Sequence, residues 1–248
     1  MSENEKVIIL GGTGGIGRAI ARIYAARGAS IALLGRNPLE LSRSAADLSV
    51  RGAKSVMAAR CDLADPASFE PALDEAFREL GEVDHLIITA ALYGVQDELE
   101  ADRDRLEALL DIDFTKTILF AEAAKARLLA QGGGTLCVLS SVAGERGRKP
   151  VAFYGAAKAG LSHYLESLDH RHGLEGLRVI TVKPGFVKTG MTAALDPPPF
   201  AGEAEEVAWD IVRGIDRGRP VIFTPWPWRY VMGVIRRLPR AVMRRVNF

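Results

Sequence analysis

A chain of 248 residues is long enough to bury a substantial core as a single α/β domain. With 48% hydrophobic and 25% charged residues, its composition excludes a disordered or low-complexity protein. The formal net charge of +1 excludes a general attraction to nucleic acid, and no apolar run reaches membrane-spanning length.

Residues 1–6 are polar and include acids, unlike a secretory leader, so the expected location is cytoplasmic. An apolar run at 7–10 predicts a first strand. It leads directly into Gly11-Gly12-Thr13-Gly14-Gly15-Ile16-Gly17 and a predicted helix over 15–27. Glycines let the backbone turn sharply and approach a pyrophosphate, whose charge is favoured by the amides of the helix that follows. Two spacings fit this loop, Gly12/Gly14/Gly17 and Gly11/Gly15/Gly17, and a ligand-free glycine turn is the competing reading. Gly11, Thr13, Gly14, Gly15, Ile16 and Gly17 are the expected phosphate-binding residues.

A second strand at 31–34 ends in Gly35-Arg36-Asn37. NAD sites usually place an acid here for the ribose diol. None is present, and Arg36, with Asn37 beside it, can pair with a 2′-phosphate. NADP(H) is therefore favoured, NAD(H) is the alternative, and an exposed turn before Pro38 is the bland reading. After a helix over 39–51 and a strand over 55–59, Asp62-Leu63 either meets the adenine or caps the next helix, at 66–80. Strands at 85–89 and 135–140 flank one long predicted helix over 102–131. Two cysteines, Cys61 and Cys137, read as small buried hydrophobes in a reducing compartment.

A helix over 154–171 carries Tyr154 and Lys158, four residues apart and so on one face. A ketone reduction needs a proton at oxygen while hydride arrives at carbon. A free tyrosine, with a pKa near ~10, exchanges that proton poorly unless a cation stabilises its phenolate. Lys158 can supply this charge and also bind the nicotinamide ribose. Ser141, ending the preceding strand, can bind the substrate oxygen. A strand at 179–183, a loop over 191–202 placed as a substrate lid, a helix over 203–217 and a last strand at 221–224 follow. Short apolar runs without alternation suit parallel strands buried on both faces. The expected fold is thus a single-domain Rossmann-type α/β, a doubly wound parallel sheet of about seven strands flanked by helices on both faces. It should occupy 1–225. No metal site is expected.

The remainder, 226–248, reads as a basic amphipathic extension. It holds Arg229, Arg236, Arg237, Arg240, Arg244 and Arg245 without an acid, and removing those charges takes the total from +1 to −5. Tyr230, Val231, Val234, Ile235 and Leu238 form an apolar stripe at helical spacing, preceded by Trp226 and Trp228. Such a segment lies on anionic lipid or holds a phosphate-linked prenyl chain; equally, it packs on its own domain or a sister subunit. Glu145-Arg146-Gly147-Arg148-Lys149 either binds a substrate phosphate or is a solvated loop.

Taken together, the glycine loop, Asp62-Leu63, Ser140-Ser141-Val142-Ala143-Gly144, Tyr154-Gly155-Ala156-Ala157-Lys158 and Pro184-Gly185-Phe186-Val187-Lys188-Thr189 resemble the short-chain dehydrogenase/reductase family over nearly the whole length. The resemblance implies Ser141 as carbonyl binder, Tyr154 as acid/base, and Lys158 as ribose ligand and pKa modifier. Pro184, Gly185, Val187 and Thr189 would embrace the nicotinamide, and homodimers or homotetramers are implied. Two departures stand out. Ile88-Thr89-Ala90-Ala91 stand where the family usually has Asn-Asn-Ala-Gly, so small residues remain at the cofactor in Ala90 and Ala91 but the amide side chains are gone. Asp113 takes the place of a helix asparagine; it implies either an altered proton relay or reduced activity. The segments 140–148 and 224–240 are similar to bacterial reductases of decaprenylphosphoryl-2-keto-ribose. The expected activity is interconversion of a ketone and a secondary alcohol, on a polyprenyl-phosphate-linked 2-keto-pentose. The alternatives are a smaller hydrophobic ketone or 3-oxoacyl substrate, or a cofactor-binding scaffold that docks a partner oxidase at the membrane.

Overall fold

The computed structural model describes residues 4–246; Met1, Ser2 and Glu3 of the polar lead, and Asn247 and Phe248 of the expected extension, lie outside the described residues. The strands are β1 (Lys6–Leu10), β2 (Ser30–Gly35), β3 (Ser55–Arg60), β4 (His85–Ile88), β5 (Gly134–Leu139), β6 (Leu177–Pro184), β7 (Val187–Lys188), β8 (Gly202–Glu203) and β9 (Val221–Thr224). β7 and β8 pair only with each other. The other seven form one parallel sheet in the order β3-β2-β1-β4-β5-β6-β9, the predicted Rossmann-type arrangement.

Alternate residues of each strand face opposite sides, so each buried strand feeds two cores. Ile8, Leu10, Leu86, Ile88, Leu136 and Val138 pack on one side. They meet α3 (Phe69–Leu80), α6 (Thr117–Ala130) and α7 (Ala152–His172). On the other side Val7, Ile9, Ile31, Leu33, Ile87 and Cys137 meet α1 (Gly15–Ala26), α2 (Pro38–Val50) and α8 (Ala204–Asp216). Both cysteines are free and buried. The strand order reverses between β1 and β4, and a crevice opens beyond their carboxyl ends, where such folds hold their ligands.

Two elements differ from expectation. The single helix over 102–131 is broken in character: α4 (Gln96–Ala101) precedes it, α5 (Arg103–Leu110) begins it, and Asp111–Lys116 form a π turn before α6. A π turn inserts one residue per turn, which a 3.6-residue pattern does not register. The Thr117 hydroxyl takes up the Ile112 carbonyl at 2.7 Å. In the C-terminal segment, α9 (Pro227–Ile235) and α10 (Arg240–Met243) form, but the expected stripe is split. Met232 and Ile235 are buried against Val142, with Val231 partly buried beside them, whereas Trp226, Tyr230 and Val234 are exposed. The buried face is rotated because β9 and the loop after β5 supply the apolar surface that α9 covers. No helix among the described residues is long and apolar enough to cross a membrane.

Candidate active site

The crevice is a cleft of about 810 Å³. One end is built by the glycine loop. Gly11 (φ +88°) and Gly15 (φ +45°) adopt backbone that side chains resist, and a Cβ on Gly17 would lie 2.4 Å from the Gly11 carbonyl. The structure therefore favours the Gly11/Gly15/Gly17 spacing, with Gly12 packed onto Leu33 instead. Thr89 is the unforeseen partner of this loop. Its hydroxyl donates to the Leu10 carbonyl at 3.0 Å and lies where Cβ atoms on Gly11 or Gly17 would intrude. Arg18 also donates to the Thr13 carbonyl and shapes the turn.

A nicotinamide dinucleotide fits this end. The N-cap of α1, Gly14, carries no side-chain cap, no acid stands in the first turn, and open space lies beside Gly14, so the first amides are left for an anion. Thr13, Ile16, Asp62, Leu63, Ala90 and Ala91 line the same cleft, as do Gly35 and Arg36 at the end of β2. Asn37 does not line it: its Oδ1 caps α2, accepting from the amides of Leu39 at 3.0 Å and Glu40 at 3.2 Å. Asp62 combines both of its readings, lining the cleft while its Oδ1 accepts from the Ala64 amide at 3.0 Å. On the far wall stand Pro184, Gly185, Val187 and Thr189. Thr192 fixes this wall, its hydroxyl donating to the Val187 carbonyl at 2.6 Å and accepting from the Thr189 amide at 3.1 Å.

Between these walls lie Ser141, Tyr154 and Lys158. Their meeting follows from local packing. Ser140 Oγ donates to the Lys158 carbonyl at 2.9 Å, and Gly144 lets the loop after β5 approach α7 so closely that a Cβ there would lie 2.7 Å from the Ala159 amide. At the start of α7 no residue caps itself; Gln96 Oε1 instead accepts from Ala152 at 2.8 Å. The Ser141 Oγ accepts from the Ala143 amide at 3.1 Å, and Ser141 stands near enough to Tyr154 to oppose the rise of its pKa. The edge of the Tyr93 ring meets Tyr154 at 5.3 Å between centroids.

Electrostatics at the centre differ from expectation. Lys158, 1% exposed, places Nζ 3.2 Å from Oδ2 of the fully buried Asp113. This is an ion contact rather than an aligned hydrogen bond, since Oδ2 lacks hydrogen-bond geometry. Oδ1 of Asp113 accepts from the Leu92 amide at 2.6 Å. Burial pushes the Asp113 carboxyl above its ordinary range despite the nearby ammonium and that amide. Tyr154 is likewise pushed well up, first by enclosure of its hydroxyl and then by Asp113, with Ser141 opposing. The Nζ of Lys158 lies 5.6 Å from the Tyr154 ring centroid, but Asp113 meets its charge first. In the resting protein the phenol is thus held protonated.

Of the charged run after Ser141, most is occupied structurally. Glu145 bridges Lys183 at 2.6 Å and Arg236 at 3.0 Å, Arg146 donates to the Leu238 carbonyl, and Lys149 donates to the Arg244 carbonyl. Only Arg148 of these lines the cleft. The lid over 191–202 contributes Met191, Thr192, Leu195, Asp196 and Pro198. Tyr93 and Gln96 belong to no short local pattern and were not expected here, and Trp228, expected at a lipid surface or subunit face, lines the cleft instead.

Comparison with known proteins agrees with this geometry. The family model for short chain dehydrogenase matches residues 5–199. An uncharacterized oxidoreductase of Mycobacterium tuberculosis is 34% identical over 241 residues, covering 97% of this chain and 96% of its own. A 3-oxoacyl-[acyl-carrier-protein] reductase of Escherichia coli is 31% identical over 206 residues, 83% of this chain and 82% of that protein. In fold alone, a levodione reductase superposes with a TM-score of 0.81 at 24% identity, covering 90% of this chain and 96% of its own. The chain belongs to the short-chain dehydrogenase/reductase family and is an NAD(P)-dependent oxidoreductase.

Proposed function

We propose that the protein reduces a ketone to a secondary alcohol with NADPH. The observation that carries this reading is the meeting of Ser141, Tyr154 and the buried Lys158 in one cleft with the glycine loop. When bound, the dinucleotide supplies hydride to the carbonyl carbon. Gly11, Thr13, Gly14, Gly15, Ile16 and Gly17 hold its phosphates, and Lys158 its nicotinamide ribose. Ala90 and Ala91 give it room. Pro184, Gly185, Val187 and Thr189 enclose the nicotinamide, and Asp62 with Leu63 flanks the adenine. Arg36 pairs with the 2′-phosphate, which makes NADP(H) the preferred cofactor over NAD(H).

Ser141 orients the substrate oxygen, and the protonated Tyr154 delivers the proton to it as negative charge develops there. Holding the phenol protonated suits reduction, since the donor is already loaded. The segment 226–248 forms an extension beyond the catalytic domain. Its exposed Trp226, Tyr230 and Val234, among arginines, support a lipid-phosphate-linked keto-sugar of the decaprenylphosphoryl-2-keto-ribose kind, met at a membrane surface. A smaller 3-oxoacyl substrate is the second reading, favoured by the likeness to the Escherichia coli 3-oxoacyl reductase. The assembly is a homodimer or homotetramer.

Turnover of a ketone panel with NADPH tests the reading. Tyr154→Phe should lower kcat by roughly 10²- to 10⁴-fold with little change in NADPH affinity. Equal turnover by both proteins would remove Tyr154 from the chemistry and leave a cofactor-binding scaffold as the better account.

A further inference from the structure

The cleft has a wall from beyond the family match, which ends at residue 199. Trp228 of α9 lines the cleft with Phe186 and Leu195. Gly185 admits it: a Cβ there would lie 2.1 Å from the indole Nε1 and 2.3 Å from Cδ1. The ring therefore rests on bare backbone, immediately after Pro184. Its N–H donates to the Phe200 carbonyl at 3.1 Å, at the end of the lid. Phe200 has φ +64°, a conformation that a bulky residue keeps only where its surroundings hold it. The indole is such a restraint.

On its other side α9 is fastened to the serine loop. Arg236 reaches the nearly buried Glu145, which Lys183 also grips, and Met232 and Ile235 cover Val142. One short helix therefore ties together the loop after Ser141, the turn after β6 and the end of the lid.

We infer that Trp228 is a specificity-determining residue, through which the C-terminal extension closes the substrate end of the cleft and holds the lid over it. This rests on reading the cleft as a ketone site. A flat indole plate on the Gly185 wall of the cleft admits carbonyl compounds whose neighbouring carbons keep a hydrogen, a keto-sugar's included, and excludes those with a quaternary carbon next to the carbonyl.

The experiment uses the full chain and has two arms. In the first, Trp228→Phe keeps a ring but loses the N–H, and amide hydrogen exchange is followed across the lid. Exchange over 190–201 should quicken by about tenfold while α1 keeps its protection; unchanged lid exchange would overturn the lid restraint. In the second, Trp228→Ala is compared with the unaltered protein on cyclohexanone and 2,2-dimethylcyclohexanone with NADPH. The kcat/KM ratio should shift toward the branched ketone by about tenfold or more, with the Kd for NADPH unchanged. A parallel fall on both ketones, leaving the ratio constant, would overturn the specificity role. Should Trp228→Ala fail to fold, Trp228→Leu makes the same comparison. If the unaltered protein reduces neither of these two ketones, lid exchange alone decides the inference, and the wider ketone panel decides the ketone reading.

Discussion

Replacing Asp113 by asparagine should move the pH dependence of alcohol oxidation more than it moves ketone reduction. In the structure the Lys158 ammonium lies 3.2 Å from the Asp113 carboxylate, and the pair presents little net charge to Tyr154. Asparagine keeps an oxygen for the Leu92 amide, which now bonds Asp113 at 2.6 Å, but releases the ammonium. At 5.6 Å from the phenol ring and an effective dielectric near ~20, that freed charge favours the phenolate by about 3 kcal/mol, or about 2 pKa units. Oxidation needs the phenolate as base. Below both pKa values its population rises as the pKa falls, so the rate at neutral pH should rise about 10- to 100-fold, the lower figure allowing for a weaker base. Reduction needs the protonated phenol and should change little there. The assay is steady-state oxidation of a secondary alcohol with NADP⁺ from about pH 6 to about pH 10, alongside the reverse reaction. Thermal unfolding serves as control, because breaking a buried ion pair costs about 3–5 kcal/mol when one charge is left alone. Superimposable oxidation profiles for the two proteins would refute the argument.

Two further outcomes are expected. Arg36→Asp should weaken NADPH binding by at least about tenfold and narrow or reverse the preference over NADH, through loss of a charge-assisted contact and repulsion of the 2′-phosphate; titration of both cofactors measures this, and an unchanged ratio would take Arg36 out of the site. Gly17→Ala forces a methyl to within 2.4 Å of the Gly11 carbonyl and should destabilise the fold by about 1–3 kcal/mol while weakening cofactor binding, read by thermal unfolding and cofactor titration.

The sheet was legible because its strands are buried on both faces and so appear as bare apolar runs, as at Val7–Ile9 and Ile31–Leu34. Ser141, Tyr154 and Lys158 were legible because a strand end and a four-residue helical step are local geometry. Their companions were not. Gln96 reaches the start of α7 from 56 residues away, and Thr89 touches the glycine loop only because β4 pairs with β1. That an ionised Asp113 alters the field at Lys158 was legible, whereas its seat in a π turn, hidden inside a plausible α-helical pattern, was not. In the C-terminal segment the spacing identified a helix but not the side it would bury. Both sides of α9 carry large apolar residues, and the choice was made by surfaces elsewhere in the chain.

The wide turn at Asp111–Lys116 also sets a particular vulnerability to insertion and deletion. Losing a single residue there would let the helix run on as ordinary α, at about 100° per residue, so everything on the amino-terminal side would swivel about its axis. Phe120, Ala124 and Leu128 could stay seated on the sheet, and the protein would remain folded. The carboxylate facing Lys158 would turn elsewhere, leaving an intact scaffold whose ammonium had lost its counterion.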